Sequence, residues 1–555
     1  MFGSKDSSLW ANRKCLFICC IVSIANTQYG FDTAAVGVGL QAMPGFLKVF
    51  GYEDPESPIG YSIDPTFQQL ISSLLTLGSF LSSLLAGSFG AFFGRKHAIW
   101  LACVLNAVAV ALQIATTAKG AIYFGRLLLG IANGFLVTFS NVYTSEAAPA
   151  HLRGVIVALF AYWVNIGSIL GGTVNNFTKT RMDKSCYQIP LGCLYIVPAI
   201  LAIGLFFVPE SPRFLLHKGR DAEAKRSLIQ LRGSALTPEE LEYEWAEMVR
   251  GMEEEKKTAK SVGWIDMFRG MFLLGSPFLR PPPTDCQKGT DLRRTVLCYC
   301  MIACQSASGI WFLIAYQTYF LQQGGVTKPF EYTIMTSCVG FIGVNVGMFA
   351  MRHLVGRRAI LIIGATACGL CQLLPAVTAS AGVSPRVQAN TLTAFIALFK
   401  FFYNGCVGGA SYPVATEVVS TRLRAWTVGS ATAIGYLLAW LVSFCSPYFI
   451  NPAELGLGAQ YGYIWAGSNF ACVVFFYFFM PEMKGRSLEE LDEMFLNRVS
   501  VRNFRKYVCH LREDVENDVL KGKFGGEDDE KVVAMSHAEE VGVERRQSQD
   551  ASKQA

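Results

Sequence analysis

Two residues could manage a charge where water is scarce. Asp32 stands in "YGFDTAAVG" inside one apolar run, and Arg126 stands in "YFGRLLLG" inside another. If those runs cross a bilayer, the carboxylate costs roughly 2.5–3.5 kcal/mol to insert, so it must face the protein interior and take a partner. Arg126 is the candidate partner. A guanidinium beside a carboxylate favours its ionised form, and withdrawing the guanidinium lets a proton bind. That is a chemistry of proton uptake and release. Across a membrane it would be driven by about 2.3 kcal/mol per charge per 100 mV. The alternative is a static pair that fixes two helices.

The composition decides what carries these residues. Hydrophobic residues make up 52% of the 555-residue chain and charged residues only 16%, with 40 Phe. That leaves too little charge to cover soluble domains. Twelve apolar runs of about 20 residues recur, at 15–36, 67–93, 97–117, 121–143, 155–175, 190–209, 295–321, 331–354, 358–379, 389–416, 424–446 and 461–481. Each is long enough to cross about 30 Å of hydrocarbon as a helix. Lipid supplies no partner for backbone groups, so the runs must be helices. The first run lacks a small-residue cleavage site and is expected to be retained. The fold class expected is therefore an all-α integral membrane protein.

Six runs precede residue 210 and six follow 294. The expected parts are a polar N-terminus (1–14), a six-helix bundle (15–209), an inter-bundle segment (210–294), a second bundle (295–481) and a largely disordered tail (482–555). Within 210–294, "LTPEELEYEWAEMVRGMEEEKKTAK" has the mixed charge of a solvated amphipathic helix. An even span count puts both termini on one side. "GRK" (94–96), "HLRG" (151–154), "GRR" (356–358) and "STRLR" (420–424) enrich that side in positive charge, as expected of cytoplasm. The halves also echo one another: "FFGRKHAI" with "LVGRRAIL", "TSEAAPAHLRG" with "ATEVVSTRLRA", and "VPESPRF" with "MPEMKGR". Matched signals in one order indicate duplication, and two bundles about a midplane site follow.

On these motifs the chain resembles the sugar porter family of the major facilitator superfamily, most like its fungal proton-coupled members. The strongest pieces are "VPESPRFLLHKGR" (208–220) and "MPEMKGRSLEELDEMF" (480–495). "GRLLLGIANGF" (125–135), "SEAAPAHLRG" (145–154) and "QSASGIWFLIAY" (305–316) agree in part. The resemblance implies twelve helices in two pseudo-symmetric six-helix bundles, and an Asp32–Arg126 meeting in proton coupling. It also implies a gating salt-bridge network of Arg95, Glu146, Arg153, Glu210, Arg213, Arg357, Glu417, Arg424 and Glu482 that holds the halves together in the outward-open state. The loop after the second span departs from the family pattern G-x-x-x-D-R-x-G-R-R/K. Ala91 and Phe92 replace its Asp and first Arg, and the second copy has His353 and Leu354 there.

The substrate positions carried over are Gln305, Tyr316, Asn175 and Tyr412, the last replacing a tryptophan. Ser306 and Trp311 replace a glutamine and an asparagine of the seventh-span motif, and Ala161 replaces a fifth-span glutamine. Asn404, with Asn165 and Asn345, offers intramembrane amides that could compensate. The pocket is thus expected to be broader and less polar than a strict glucose site. Asn176-Phe177-Thr178 is a glycosylation pattern on the side opposite the termini.

Other functions find no support. There is no Walker A string, no strand-to-helix GxGxxG, no Ser-His-Asp set and no zinc-spaced cysteines among 17, which mostly fall inside apolar runs. No basic block suggests nucleic acid. Neither an enzyme nor a cofactor or metal is expected. The partners expected are a small sugar-like solute, protons and the lipid bilayer, with the chain acting as a monomer. The expectation is a secondary transporter working by alternating access, with proton symport, at the plasma membrane. The alternatives are transport of a non-sugar metabolite on the same fold, or a non-transporting sugar sensor.

Overall fold

The computed structural model describes residues 12–53, 60–149, 152–233, 235–259, 267, 291–420, 423–452, 454–484, 486, 488–497, 499–505 and 507. Among them, eleven helical runs are long and apolar enough to cross a membrane: Arg13–Ala42, Pro65–Phe93, Arg95–Ala115, Lys119–Ala147, Ser185–Phe207, Asp291–Gln323, Pro329–Met351, Arg357–Ser380, Pro385–Val418, Trp426–Ile450 and Gly458–Phe479. The helix Arg153–Thr178, of 26 residues, occupies the place of the expected fifth span. We number the spans one to twelve in chain order. The strands among the described residues, Tyr52–Glu53 and Tyr61–Ser62, pair in the loop between the first two spans.

The span starts follow from local chemistry. Pro65, Pro329 and Pro385 each occupy the first helical turn, where a missing N–H costs nothing. Asp64 also accepts a hydrogen bond from the Thr66 N–H at 3.2 Å. Along the spans, Ile203, Phe206 and Phe207 are among the large apolar side chains left exposed, as a lipid-facing surface requires.

Several spans are not regular, and the sixth turns between Cys193 and Ile196. The first passes from α-helix to π-helix over Thr33–Gly39, then to a 3-10 turn over Leu40–Ala42. The seventh breaks between Ala307 and Ile310, where Gly309 adopts φ +82°. The tenth contains a π-helix over Tyr403–Gly408. Backbone groups freed inside a membrane must find other partners, and here side chains of neighbouring spans supply them. The Asn175 amide donates to the Ala34 and Ala35 carbonyls at 3.1 and 2.9 Å. The Ser308 carbonyl accepts from Gln372 at 2.9 Å and Asn469 at 3.1 Å, and Ser468 reaches the Ala307 carbonyl at 2.5 Å.

Glycine sets how closely the helices approach. A Cβ at Gly78 would meet the Leu127 carbonyl, and one at Gly130 the Leu75 carbonyl, so spans two and four touch backbone to backbone. The second half repeats this. A Cβ at Gly343 would meet the Phe401 carbonyl, and one at Gly347 the Gly405 carbonyl, bringing spans eight and ten equally close. Small residues at crossings are what lets helices associate in lipid.

Between the bundles, Pro212–His217, Asp221–Arg232 and Pro238–Ala259 form helices that share a small apolar core of Phe214, Leu215, Leu216, Ala224 and Met252. The mixed-charge stretch is thus helical as far as Ala259. Residues 485–555 form a separate unit. Its beginning has local structure within a tail expected to be largely disordered. Leu488–Leu496 is a helix, Phe495 packs edge-on to Phe504 at 5.3 Å, and Arg486 donates to the Tyr507 carbonyl at 2.7 Å. The apolar side of "LEELDEMFL" finds this cover locally. The remainder of the tail lies outside the described residues.

The backbone contact of spans eight and ten yields the first prediction. Gly347→Leu must push the two helices apart, at about 1–3 kcal/mol for overpacking. Its thermal unfolding midpoint in detergent should fall by several degrees. Gly467→Leu, at a position with nothing within 4 Å of the added Cβ, should melt like the parent. Equal midpoints for both variants would refute the crossing.

Candidate functional site

Asp32 is the last α-helical residue before the π segment of the first span. Its Oδ1 accepts from Arg126 Nη1 at 2.9 Å and its Oδ2 from Asn133 Nδ2 at 2.7 Å. Both charged side chains are 0% exposed. Arg126 also donates through Nε to the Ile71 carbonyl of the second span at 3.0 Å. Such a pair survives burial because charge-assisted hydrogen bonds satisfy most of its polar atoms, and losing one partner costs about 3–5 kcal/mol. One donor is left over: Arg126 Nη2 is buried without a partner, as is Asn133 Oδ1. Asn133 was not singled out from the sequence, although a buried amide two turns beyond Arg126 in the same span was the available signal.

Arg126 borders a small cavity between the bundles. Tyr29, Thr33, Ser72 and Arg126 line it from the first bundle, and Trp311 and Ser443 from the second. Of the substrate positions expected, Trp311 is the one that lines this cavity. Tyr316 is fully buried and donates to the Ser443 carbonyl at 2.7 Å. Gln305 lies beside the Tyr403 hydroxyl, and Tyr412, 39% exposed, lies beside Thr432. Tyr403, Tyr412 and Tyr436 gather towards Tyr29. Ser306 is buried at the break, its carbonyl accepting from the Gly309 N–H at 3.3 Å. Asn175, expected as a substrate position, keeps a buried Oδ1 without a partner. Its Nδ2 is committed to the irregular first span.

A second polar group sits on the other flank of the seam, among spans five, eight and ten. Asn404 donates to Asn165 Oδ1 at 3.4 Å, and Tyr162 donates to Asn345 Oδ1 at 2.5 Å, both across the bundles. Asn404 is thus at the seam, as are the two amides named with it. One turn before Asn404 is Lys400, in "IALFKFFYNG". Sequence reasoning missed it, although a charge inside an apolar run is the same signal that exposed Asp32.

The expected network ties the halves together in the outward-open state and breaks on inward opening. Arg95 pairs with Glu146 at 2.8 Å, and Ser211 donates to Glu146 at 2.5 Å. Glu210 accepts from the backbone N–H groups of Arg95, Lys96 and Ser211 at 3.2, 3.2 and 2.9 Å. In the second bundle Arg357 pairs with Glu417 at 2.7 Å, and Glu482 accepts from the N–H groups of Arg357 and Arg358 at 2.9 and 3.2 Å. The two halves repeat one design. Every one of these contacts stays within its own bundle, so the network does not tie the halves together here. Arg213 makes no ion pair among the described residues, and the Arg153 side chain lies outside them. Arg424 keeps Nε and Nη2 buried without a partner, as Glu417 keeps Oε2.

The halves are instead joined on the side away from the termini. Lys179, after the fifth span, pairs with Glu331 of the eighth at 3.5 Å and lies 5.8 Å from the Phe330 ring. Its ammonium also donates to Asn176 Oδ1 at 2.6 Å. This corrects the glycosylation reading of Asn176. The pattern lies in the last turns of a helix, and the buried Thr178 hydroxyl donates to the Val174 and Asn175 carbonyls. An acceptor site belongs in an exposed loop.

The family model described as "Sugar (and other) transporter" matches residues 18–495. The chain belongs to that family. It is a transporter rather than an enzyme. Among curated proteins it is similar to the major facilitator-type transporter ecdD of Aspergillus rugulosus, 28% identical over 521 residues, covering 91% of this chain and 92% of that one. It is also similar to a low-affinity glucose transporter of Kluyveromyces lactis, 26% identical and covering 90% and 86%. Among solved structures it resembles the proton:xylose symporter XylE bound to 6-bromo-6-deoxy-D-glucose, with TM-score 0.66, 18% identity and coverage of 87% and 100%. The inward-open xylose transporter XylE from E. coli gives TM-score 0.65 at 18% identity, covering 86% and 99%. These likenesses establish the major facilitator fold for this sugar porter family member.

The Lys179–Glu331 pair is partly exposed, at 26% and 45%, and such pairs contribute about 0–1 kcal/mol. Glu331→Gln should therefore shift the equilibrium by up to about fivefold towards a state open on that side. Amide hydrogen exchange of residues 310–323 reads this as faster exchange in the variant. Unchanged exchange would remove the pair from the gate.

Proposed function

We propose that the protein is a proton-coupled symporter that carries a hydroxylated, sugar-like solute into the cell by alternating access, at the plasma membrane with both termini in the cytoplasm. The observation that carries this reading is Asp32, sealed against Asn133 and against Arg126, which borders the inter-bundle cavity. The similarity to a proton:xylose symporter supports it.

The mechanism follows from what the first span joins. Its irregular segment, Thr33–Gly39, runs from Asp32 to the seventh span, where a Cβ on Gly37 would sit 3.9 Å from the Ile314 carbonyl. With the far side closed by Tyr316 and the Lys179–Glu331 pair, Asp32 holds its Arg126 contact and remains ionised. Opening the far side moves the first span against the seventh and loosens the carboxylate from the guanidinium. A proton then binds, since an unpaired buried carboxylate favours its neutral form. Solute entering between Tyr29, Thr33 and Trp311 draws the halves together again. On the terminal side, Arg424 and Glu417 hold unspent polar groups that suit pairing across the halves when that side shuts.

Each proton carried inward supplies about 2.3 kcal/mol per 100 mV, enough for an equilibrium solute ratio of about 50. Asp32→Asn keeps the shape and removes the titration. In cells lacking their own sugar carriers, it should abolish accumulation against a gradient while leaving solute exchange within about threefold of the parent. The parent's accumulation should collapse with a proton uncoupler. Concentrative uptake that survives the substitution would overturn the coupling role.

A further inference from the structure

Lys400 is the one cation deep in a span that no protein group neutralises among the described residues. Along the tenth span, Ala394 and Leu398 are exposed, whereas Thr393, Ile396 and Ala397 are buried. Lys400 continues the buried stripe and is itself half-buried. Its Cβ lies 3.6 Å from where a Cβ would stand on Gly340 of the eighth span. One turn on, Asn404 reaches Asn165 of the other bundle. The helix Pro385–Phe402 packs on spans eight and nine of its own bundle, and Lys400 lies one turn from the seam reached at Asn404.

The charge inventory of the spans makes Lys400 unusual. Away from span ends, the Asp, Glu, Lys and Arg residues are Asp32, Arg126 and Lys400. Asp32 and Arg126 cancel each other at 2.9 Å. Lys400 takes part in no ion pair among the described residues. It stands 15 residues after Pro385, roughly 22 Å along the helix at 1.5 Å per residue. It also stands 18 residues before Val418, so it lies near the middle of this 34-residue span. A lysine side chain, roughly 6 Å long, cannot snorkel from there to a lipid phosphate. A retained intramembrane charge marks a solute pathway.

We infer that the cargo brings the missing anion, and that the protein carries a polyhydroxylated carboxylate, a sugar acid, whose carboxylate pairs with Lys400. On the same flank the cross-bundle bonds of Asn404 to Asn165 and of Tyr162 to Asn345 can exchange for a solute's hydroxyl groups when the bundles part, whereas the Asn165 and Asn345 Nδ2 groups are given to the Ala161 and Phe341 carbonyls. This inference rests on the reading of the chain as a proton-coupled porter of hydroxylated solutes. It also changes the electrical balance. One proton moving with one monoanion carries no net charge, whereas one proton with a neutral sugar carries one.

The test uses the full-length protein in proteoliposomes and counterflow of labelled D-gluconate and D-glucose. Counterflow needs no proton gradient, so it is independent of coupling through Asp32. The parent should move gluconate about tenfold faster than glucose. Lys400→Gln should lose gluconate counterflow by about tenfold or more, the scale of removing one partner of a buried charge pair, and keep or gain glucose. Lys400→Arg should retain gluconate within about threefold. If Lys400→Gln fails to fold by size-exclusion profile, the parent decides. Its gluconate accumulation under a fixed pH gradient should not change with an imposed membrane potential. Glucose movement without gluconate movement, unaltered gluconate counterflow in Lys400→Gln, or potential-driven gluconate accumulation would each overturn the inference and leave the transport reading standing. Movement of neither solute would overturn both.

Discussion

A charge that cannot reach water must be answered within the protein, and the rest of this structure follows from that constraint. Asp32 and Arg126 lie in spans one and four with no exposed surface, and they need each other, Asn133 and the Ile71 carbonyl to stay there. The helices must therefore approach closely. Gly130, one turn after Arg126, lets span four touch the Leu75 backbone of span two, and Gly30, beside Asp32, lets span one touch the Val164 carbonyl of span five. Glycine packing and charge pairing are one design, since neither distance survives without the other.

The same constraint governs the backbone. The first, sixth, seventh and tenth spans leave regular helix part-way along, and carbonyls freed in the first and seventh are taken by Asn175, Gln372, Asn469 and Ser468 from neighbouring spans. Irregular backbone in a membrane is retained where it lines a cavity or hinges a repeat. Here it borders the seam. The cavity at Arg126 and the amide group at Asn404 stand on its two flanks, so a solute between the bundles can meet both.

How much of this was legible in the sequence depended on whether a residue's role is local. Asp32, Arg126 and the twelve runs were legible because an apolar run and a charge inside it are conspicuous without any knowledge of contacts. Lys400 gives the same signal, a lone charge inside an apolar run, but stands outside the echoed motifs that carry the resemblance. The role of Asn175 was not legible: it depends on a π-helix that nothing in "TAAVGVG" announces, and that frees carbonyls 140 and 141 residues away. The pairing of Arg95 with Glu146 and of Arg357 with Glu417 was half legible. Matching charges in duplicated loops predict ion pairs, but whether they fall within or between bundles depends on which side of the seam is shut. Asn176 shows the reverse failure, a three-residue pattern that reads as exposed loop until Thr178 is seen bonded to its own helix.

The central claim is that Asp32 changes protonation as the halves move. Difference infrared spectroscopy of the reconstituted protein reads this directly, through the C=O stretch of a neutral carboxyl group. The account predicts such a band in protein held open on the side away from the termini, its absence when that side is closed, and its loss in Asp32→Asn. A spectrum with no carboxyl band tied to that opening, or with a band that persists in Asp32→Asn, would contradict it.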